Sequence, residues 1–370
     1  MSNYSTRPRI LFVTPEVAFV PERAGNCAYF MGACSGSFGD FPAQLINNLI
    51  NLGADVHVAQ PDYRKLFEML SRNEPANPSI KLPIDRVHLA EDRAIFYSKP
   101  INSNSELENI KISLAFQREV INQIAPRVQP DLIHCHDWMT GLIPAAAEEY
   151  GTPCLFTVHD SDSAKSLLSD VENRGIDAAA FWRRLFYDRF PGDYEETRDT
   201  NPLDLLLSGI LAAHLVDIAS LRLLPNIVKG RSNTFYSCLR QVLTRKCDAG
   251  CVWGMAGIPD SPVNVTSDKK RYCNNGPNAH HTGKQKNEQV VWRSPPLFNH
   301  FEKAYRYVDL YERILQRPLI TPEKKKVRAK NEDGPAKSTD NQAIPYRIER
   351  SVDSQVFYSE QISTPAMAPV

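Results

Sequence analysis

The chain has 370 residues, 43 Lys and Arg balanced by 43 Asp and Glu, and a 42% hydrophobic fraction. A formal net charge of zero gives no electrostatic footprint for nucleic acid or an anionic membrane surface, and the apolar content supports a globular core. No apolar run reaches the roughly 18 residues of a membrane span, and Met1–Arg9 has no apolar leader core, so the default expectation is a cytoplasmic protein with no membrane and no nucleic-acid partner.

In chain order, Arg9–Val13 reads RILFV, the continuous apolar run of a buried parallel strand, stopped by Thr14-Pro15. A segment rich in small residues runs from Glu16 to Gly39. Phe41–Leu52 follows with Ala43, Leu45, Ile46, Leu49 and Ile50 at helical spacing, and Gly53 stands where a helix-ending glycine belongs. Asp55–Ala59 is a second strand, completing a strand–helix–strand unit. Ala94–Tyr97 is strand-like, Ile112–Ile124 helical, Asp131–Cys135 a strand, Met139–Tyr150 a helix ended by Gly151, and Pro153–Val158 a strand. Ser163–Thr200 reads as a helical insertion packed on the domain, Asn201–Leu215 as an apolar helix, and Leu215–Ala219 as a last strand. The fold class implied is α/β, a doubly wound, mostly parallel sheet. Ligands of such sheets bind beyond the strands' carboxyl ends, which singles out Thr14–Glu16, His136-Asp137 and His159-Asp160.

Beyond Gly257 this rhythm stops. Phe298–Leu315 is one amphipathic helix with Phe301, Tyr305, Val308, Tyr311 and Leu315 on one face, closed by Pro318. The composition divides the chain into an α/β domain over 1–260, a polar connector over 261–297, a helix packing back on the domain over 298–320, and a disordered tail over 321–370 that includes the basic run Lys324–Lys330. Of the 8 cysteines, Cys135 and Cys154 lie in apolar strands and read as buried free thiols. The spacing of Cys247 and Cys251 relative to Cys238, Cys273, His280 and His281 matches no common zinc motif, so no metal is expected.

Six segments together resemble the bacterial glycogen and starch synthases: RILFVTPEVA (9–18), LGADVHVAQPDY (52–63), PDLIHCHDWMTGLIPA (130–145), LFTVHD (155–160), NPLDLLLSGILAAHLV (201–216) and YVDLYERILQRPL (307–319). The resemblance implies one Rossmann-like half of a two-domain GT-B fold. It implies a retaining transfer of glucose from ADP-glucose to the non-reducing end of an α-1,4-glucan, with no cofactor. In that family the last of these segments follows a complete second domain that holds the donor. Here only a short polar stretch precedes it, so the expectation is that the donor domain is missing, that the chain alone has weak or absent activity, and that ADP-glucose is engaged only if a donor domain is supplied in trans. The alternative is a non-catalytic relic that binds glucan or an active synthase.

The same resemblance marks site residues. His159 matches the histidine beside the transferred glucose, with Asp160 where the family has asparagine. The bland reading is a strand-end histidine bonded to a carboxylate. Asp137 matches the aspartate of His-Asp-Trp on the acceptor side, or it caps a helix starting at Trp138. Gly36 and Asp40 match the Gly-rich loop, where Cys34 replaces the family lysine. The loop is either a weakened phosphate cradle or a turn leading to a helix start at Asp40. Ser220 matches a serine in a turn whose Pro and Thr are absent here. Phe181, Trp182, Phe186 and Tyr187 suit core packing better than stacking on glucan rings.

Overall fold

The computed structural model describes residues 7–17, 40–63, 86–96, 98, 105–219, 234–253 and 300–320. β1 (Arg9–Val13) leads to α1 (Asp40–Leu52), which ends as the sequence requires: Gly53 takes φ 88°, its N–H reaches Ile50 O at 2.9 Å and Ala54 N–H reaches Leu49 O at 3.0 Å. These two hydrogen bonds satisfy carbonyls the helix leaves open, in a conformation glycine adopts without Cβ strain. β2 (Asp55–Pro61) and β3 (Val87–Ala90) follow. α2 (Glu106–Glu119) starts at Ser105, whose hydroxyl accepts Glu108 N–H, and runs through a π-turn at Val120–Ile124 into the short α3 (Ala125–Val128). Then come β4 (Leu132–His136), a 3₁₀ turn at Trp138–Thr140, α4 (Ile143–Glu149) and β5 (Cys154–Val158). An excursion carries β6 (Lys165–Ser166), α5 (Leu168–Asn173), α6 (Tyr194–Thr200) and β7 (Leu203–Asp204) before α7 (Leu205–Ala212) and β8 (Leu215–Ile218). The described chain closes with α8 (Thr234–Asp248), β9 (Val252–Trp253) and α9 (His300–Leu315).

The sheet order is β3-β2-β1-β4-β5-β8-β9, all neighbours parallel, with β6 and β7 pairing separately and antiparallel. This is the doubly wound α/β class expected. The strand order reverses between β1 and β4, the crevice where such sheets bind ligands. One face buries Leu11, Val13, Ile133, Cys135 and Phe156 with α2, α4 and α7. The other buries Ile10, Phe12, Leu132, Leu155 and Leu215 with α1 and α9.

Several boundaries differ from the sequence reading. Ala94 to Phe96, the described part of the expected strand Ala94–Tyr97, form a turn instead. Asp92 accepts Ala94 N–H on its carboxylate at 2.6 Å, and its carbonyl accepts Ile95 and Phe96 N–H. A short polar side chain that bonds the backbone two residues on outcompetes the sheet ladder, and the strand is Val87–Ala90. The expected helix from Met139 begins only at Ile143, with Pro144 in its first turn. The helix expected from Asn201 begins at Leu205, where the buried carboxylate of Asp204 caps Leu207 N–H at 2.9 Å. The insertion over 163–200 is only partly helical. Phe181, Trp182, Phe186 and Tyr187 are all buried in the core, as the packing reading had it. Helix α8 and strand β9 had no counterpart in the sequence reading. The buried residues of α9 are Ala304, Tyr307, Val308, Leu310 and Tyr311, while Tyr305 and Leu315 are only partly covered. The connector over 261–297 and the tail over 321–370, with Lys324–Lys330, lie outside the described residues, as do Cys273, His280 and His281. Among the described residues no cluster of three or more His, Cys, Asp or Glu could hold a metal ion, and no helix is long and apolar enough to cross a membrane.

Candidate functional site

A cleft with about 550 Å³ of empty space, open solvent included, lies over the carboxyl ends of β1, β4 and β5. Its lining brings together Thr14–Glu16, His136-Asp137 and His159-Asp160, the three strand ends the topology rule singled out, with Trp138, Asp162 and Pro42 of α1.

Asp137 leaves β4 in a strained conformation, φ 57° and ψ 179°, outside the regions a side-chain-bearing residue ordinarily occupies. The segment after it is tethered from beneath. Gln117 of α2 accepts Leu142 N–H at 2.7 Å and donates to Ser113 at 3.0 Å, and Ser113 donates to Met139 O at 3.2 Å. Thr140 donates its hydroxyl back to the carbonyls of His136 and Asp137. These buried bonds hold the strained residue in place. The Asp137 carboxylate does not cap the following 3₁₀ turn. It accepts His159 N–H at 2.7 Å, crossing from β4 to β5. The positive φ of Asp137 departs from the β-region backbone of an ordinary N-cap, and its carboxylate is engaged by His159 instead. Burial pushes the Asp137 carboxyl above the usual carboxylate range, opposed by His159 and by backbone N–H bonds. Burial, and then the charge of Asp160, also raise Asp162.

Alternation along β4 puts His134 and His136 on the α1/α9 face, although Cys135 between them faces the other core. His136 is 1% exposed; its Nδ1 lies 3.0 Å from Nε2 of His159, and the rings stack 15° from parallel with centroids 5.3 Å apart. Phe41 of α1 meets His159 edge-on at 5.0 Å. Burial, then the neighbouring histidines, holds His136 well below the ordinary histidine range, so it is neutral.

Beneath lies a buried polar chain. Tyr307 donates to Asp217 Oδ2 at 2.5 Å, and the Thr157 hydroxyl donates to the same oxygen at 3.3 Å. Thr157 Oγ1 is then left to accept Nε2–H of His134 at 2.7 Å, and His134 Nδ1 accepts the Tyr311 hydroxyl at 2.7 Å. Only one neutral tautomer of His134 satisfies all four links. Burial keeps both tyrosines protonated, with pKa values well above the ordinary phenol, and His134 neutral. This chain orients α9 against the sheet under the cleft.

Of the residues read as functional from the sequence, His159 and Asp137 are brought together by a direct bond. Asp40 is the first residue of α1, two positions before Pro42, which lines the cleft. Gly36, Cys34 and Ser220 lie outside the described residues. The sequence reading placed His136 at a ligand-binding strand end without giving it a role, and it did not single out His134. The available signal was the His-x-His alternation in DLIHCH, which places two imidazoles on one face of a buried strand. Glu16, Asp137, Asp160 and Asp162 make the lining acidic, and among the described lining residues there is no Lys or Arg.

A family model described as the starch synthase catalytic domain matches residues 9–229. The chain is 28% identical over 225 residues to a protein named glycogen synthase 2 from Geobacter metallireducens, covering 51% of this chain and 43% of the relative. It is 25% identical over 289 residues to a glycogen synthase from Nitrosomonas europaea, covering 62% and 53%. Among solved structures it is similar to the catalytic domain of starch synthase IV from Arabidopsis thaliana bound to ADP and acarbose, at a TM-score of 0.46 and 15% identity, over 69% of this chain and 54% of that one. The matched regions thus span about half the length of these relatives.

Proposed function

Because this chain belongs to the starch synthase catalytic domain family, we propose that its cleft is the sugar-binding side of a glucosyltransferase site that moves glucose from ADP-glucose to the non-reducing end of an α-1,4-glucan. The observation that carries this reading is the joining of Asp137 and His159 beside the switch point of the sheet, in one cleft, through the 2.7 Å bond from His159 N–H. In such a transfer the bond from the anomeric carbon to the diphosphate oxygen breaks, a bond to the acceptor hydroxyl forms, and that hydroxyl gives up its proton. A sugar is uncharged and rich in hydroxyls, and it suits a lining of carboxylates, imidazoles and Trp138. Asp137 accepts from a sugar hydroxyl, and His159 meets the glucosyl unit.

The departing diphosphate has different needs. It is stabilised by cations and oriented N–H groups, commonly for several kcal/mol. An acidic lining with no Lys or Arg among its described residues opposes it. This chain alone is therefore expected to transfer glucose weakly or not at all, and ADP-glucose to be engaged only where another domain supplies phosphate-binding groups. The same acidity favours the second reading, a non-catalytic glucan-binding protein.

The test is transfer of labelled glucose from ADP-glucose to glycogen by the purified chain, with glycogen co-sedimentation run alongside. Co-sedimentation with transfer at background supports both parts of the reading. Robust transfer by the chain alone sinks the argument from the acidic lining. Absence of both signals removes the glucan assignment.

A further inference from the structure

His136 is almost wholly enclosed, lines the cleft, and has one ring nitrogen bonded and one without a partner among the described residues: Nδ1 faces His159 Nε2 at 3.0 Å, and Nε2 is buried. Two neutral arrangements fit the bond. If His159 donates from Nε2, the proton of His136 sits on its own Nε2 and becomes a buried N–H with no acceptor. If His136 donates from Nδ1, its Nε2 carries only a lone pair. Buried N–H groups without acceptors are the rarer and more expensive defect. We infer that His136 is a positioning residue that donates from Nδ1 to Nε2 of His159, fixing His159 as the Nδ1–H tautomer. The one donor left on the His159 ring is then Nδ1–H, available to a ligand oxygen in the cleft.

The surroundings support this assignment. Residues 136 and 137 grip His159 twice, His136 through the ring and Asp137 through the backbone N–H at 2.7 Å, so orientation and tautomer are set by consecutive residues of one strand end. The ring of His136 has little freedom to turn over. Phe12 stacks on it at 5.8 Å, His134 lies 4.3 Å away, and the hydrogen bonds of His134 are both committed to Thr157 and Tyr311. The histidine pair is thus a directed unit: His136 reads the buried side, and His159 presents a donor to the cleft. A hydroxyl or ring oxygen of a sugar is a fitting acceptor, a use that rests on the glucan reading above. The tautomer itself does not depend on it.

The experiment is long-range proton–nitrogen correlation spectroscopy of the full chain labelled with ¹⁵N-histidine and free of ligand, with His159 assigned by its loss in His159→Gln. The expected result is a protonated Nδ1 and a bare Nε2 on His159. A protonated Nε2 overturns the proposal outright, without any variant of His136 being required. His136→Asn retains a donor near the δ position and is expected to preserve the His159 pattern. His136→Leu is expected to release it to a mixture of tautomers and to weaken glycogen co-sedimentation roughly two- to tenfold, the worth of one hydrogen bond. An unchanged His159 spectrum in a folded His136→Leu overturns the positioning role. If wild type shows the Nδ1–H tautomer yet fails to co-sediment with glycogen, the glucan reading falls and the tautomer assignment stands.

Discussion

The hydroxyl of Tyr311 and Nδ1 of His134 meet at 2.7 Å across 177 positions of sequence, inside the core. Tyr311→Phe keeps the ring and removes the donor, leaving a buried imidazole nitrogen without a partner. The expected loss is about 1–3 kcal/mol. It is read as a lower urea midpoint with an unchanged slope. A midpoint equal to wild type would show that α9 does not depend on this bond.

Stability should fall on mild acidification. Burial holds His134 and His136 well below their ordinary 6.5, and His88 is lowered to about 4, first by burial and then by His57. A base with a depressed folded pKa binds protons less readily folded than unfolded. Its contribution is therefore complete above about pH 6.5 and is lost as pH falls below that value, the His88 part ending near pH 4. Each fully buried histidine contributes a slope of up to about 1.4 kcal/mol per pH unit. Urea melts between pH 7.5 and 4.5 test this, and a flat profile from 7 to 5 contradicts it.

Two glycines should differ in tolerance. A Cβ on Gly141 would stand 1.9 Å from the carbonyl oxygen of Leu205, whereas one on Gly209 would meet the Phe156 ring at 2.4 Å. The first obstacle is backbone at the start of α7, the second a side chain. Gly209→Ala should cost about 1–3 kcal/mol, and Gly141→Ala more, through forced separation of α7 from the turn after Asp137. Comparable stabilities for the two variants, measured by thermal melts, would refute this ranking.

Asp137→Asn separates stability from function. The amide oxygen still accepts His159 N–H, and the penalty of a buried carboxylate disappears, so stability should stay level or rise by up to about 1 kcal/mol. Glycogen co-sedimentation should fall, because the charged acceptor facing the sugar is gone. Retained binding at full strength would remove Asp137 from the ligand contacts.

The central strands were legible in the sequence because they are largely apolar runs ended by polar strand-end residues, and Gly53 and Gly151 mark where helices stop; the edge strands Val87–Ala90 and Val252–Trp253 were not read. The strand-end rule located the cleft before any contact was known. Ala94–Tyr97 misled because Asp92, outside the apolar run, takes the local backbone into a turn. The face of α9 was read only in part: Val308 and Tyr311 were placed on it, but Tyr307 was not, because nothing in the local pattern announces that the buried carboxylate of Asp217 awaits its hydroxyl. His136 was singled out as a strand-end residue, but its bond to His159 was not legible, because that partner stands 23 residues away.

The late arrival of α9 has a consequence for biosynthesis. Phe12, His134 and Asp217 are in place once β8 has paired, but the helix that covers them begins at His300. Residues 254–299 must be translated first, which takes roughly 2–10 s at ordinary elongation rates. Throughout that interval the nascent sheet presents, beside α1, an uncovered part of one face carrying both apolar side chains and the water-exposed imidazole of His134 and carboxylate of Asp217. Ribosome-stalled chains that end before Tyr311 should therefore be protease-sensitive and retained by holdase chaperones, and those extending past Ile320, once clear of the exit tunnel, should be released.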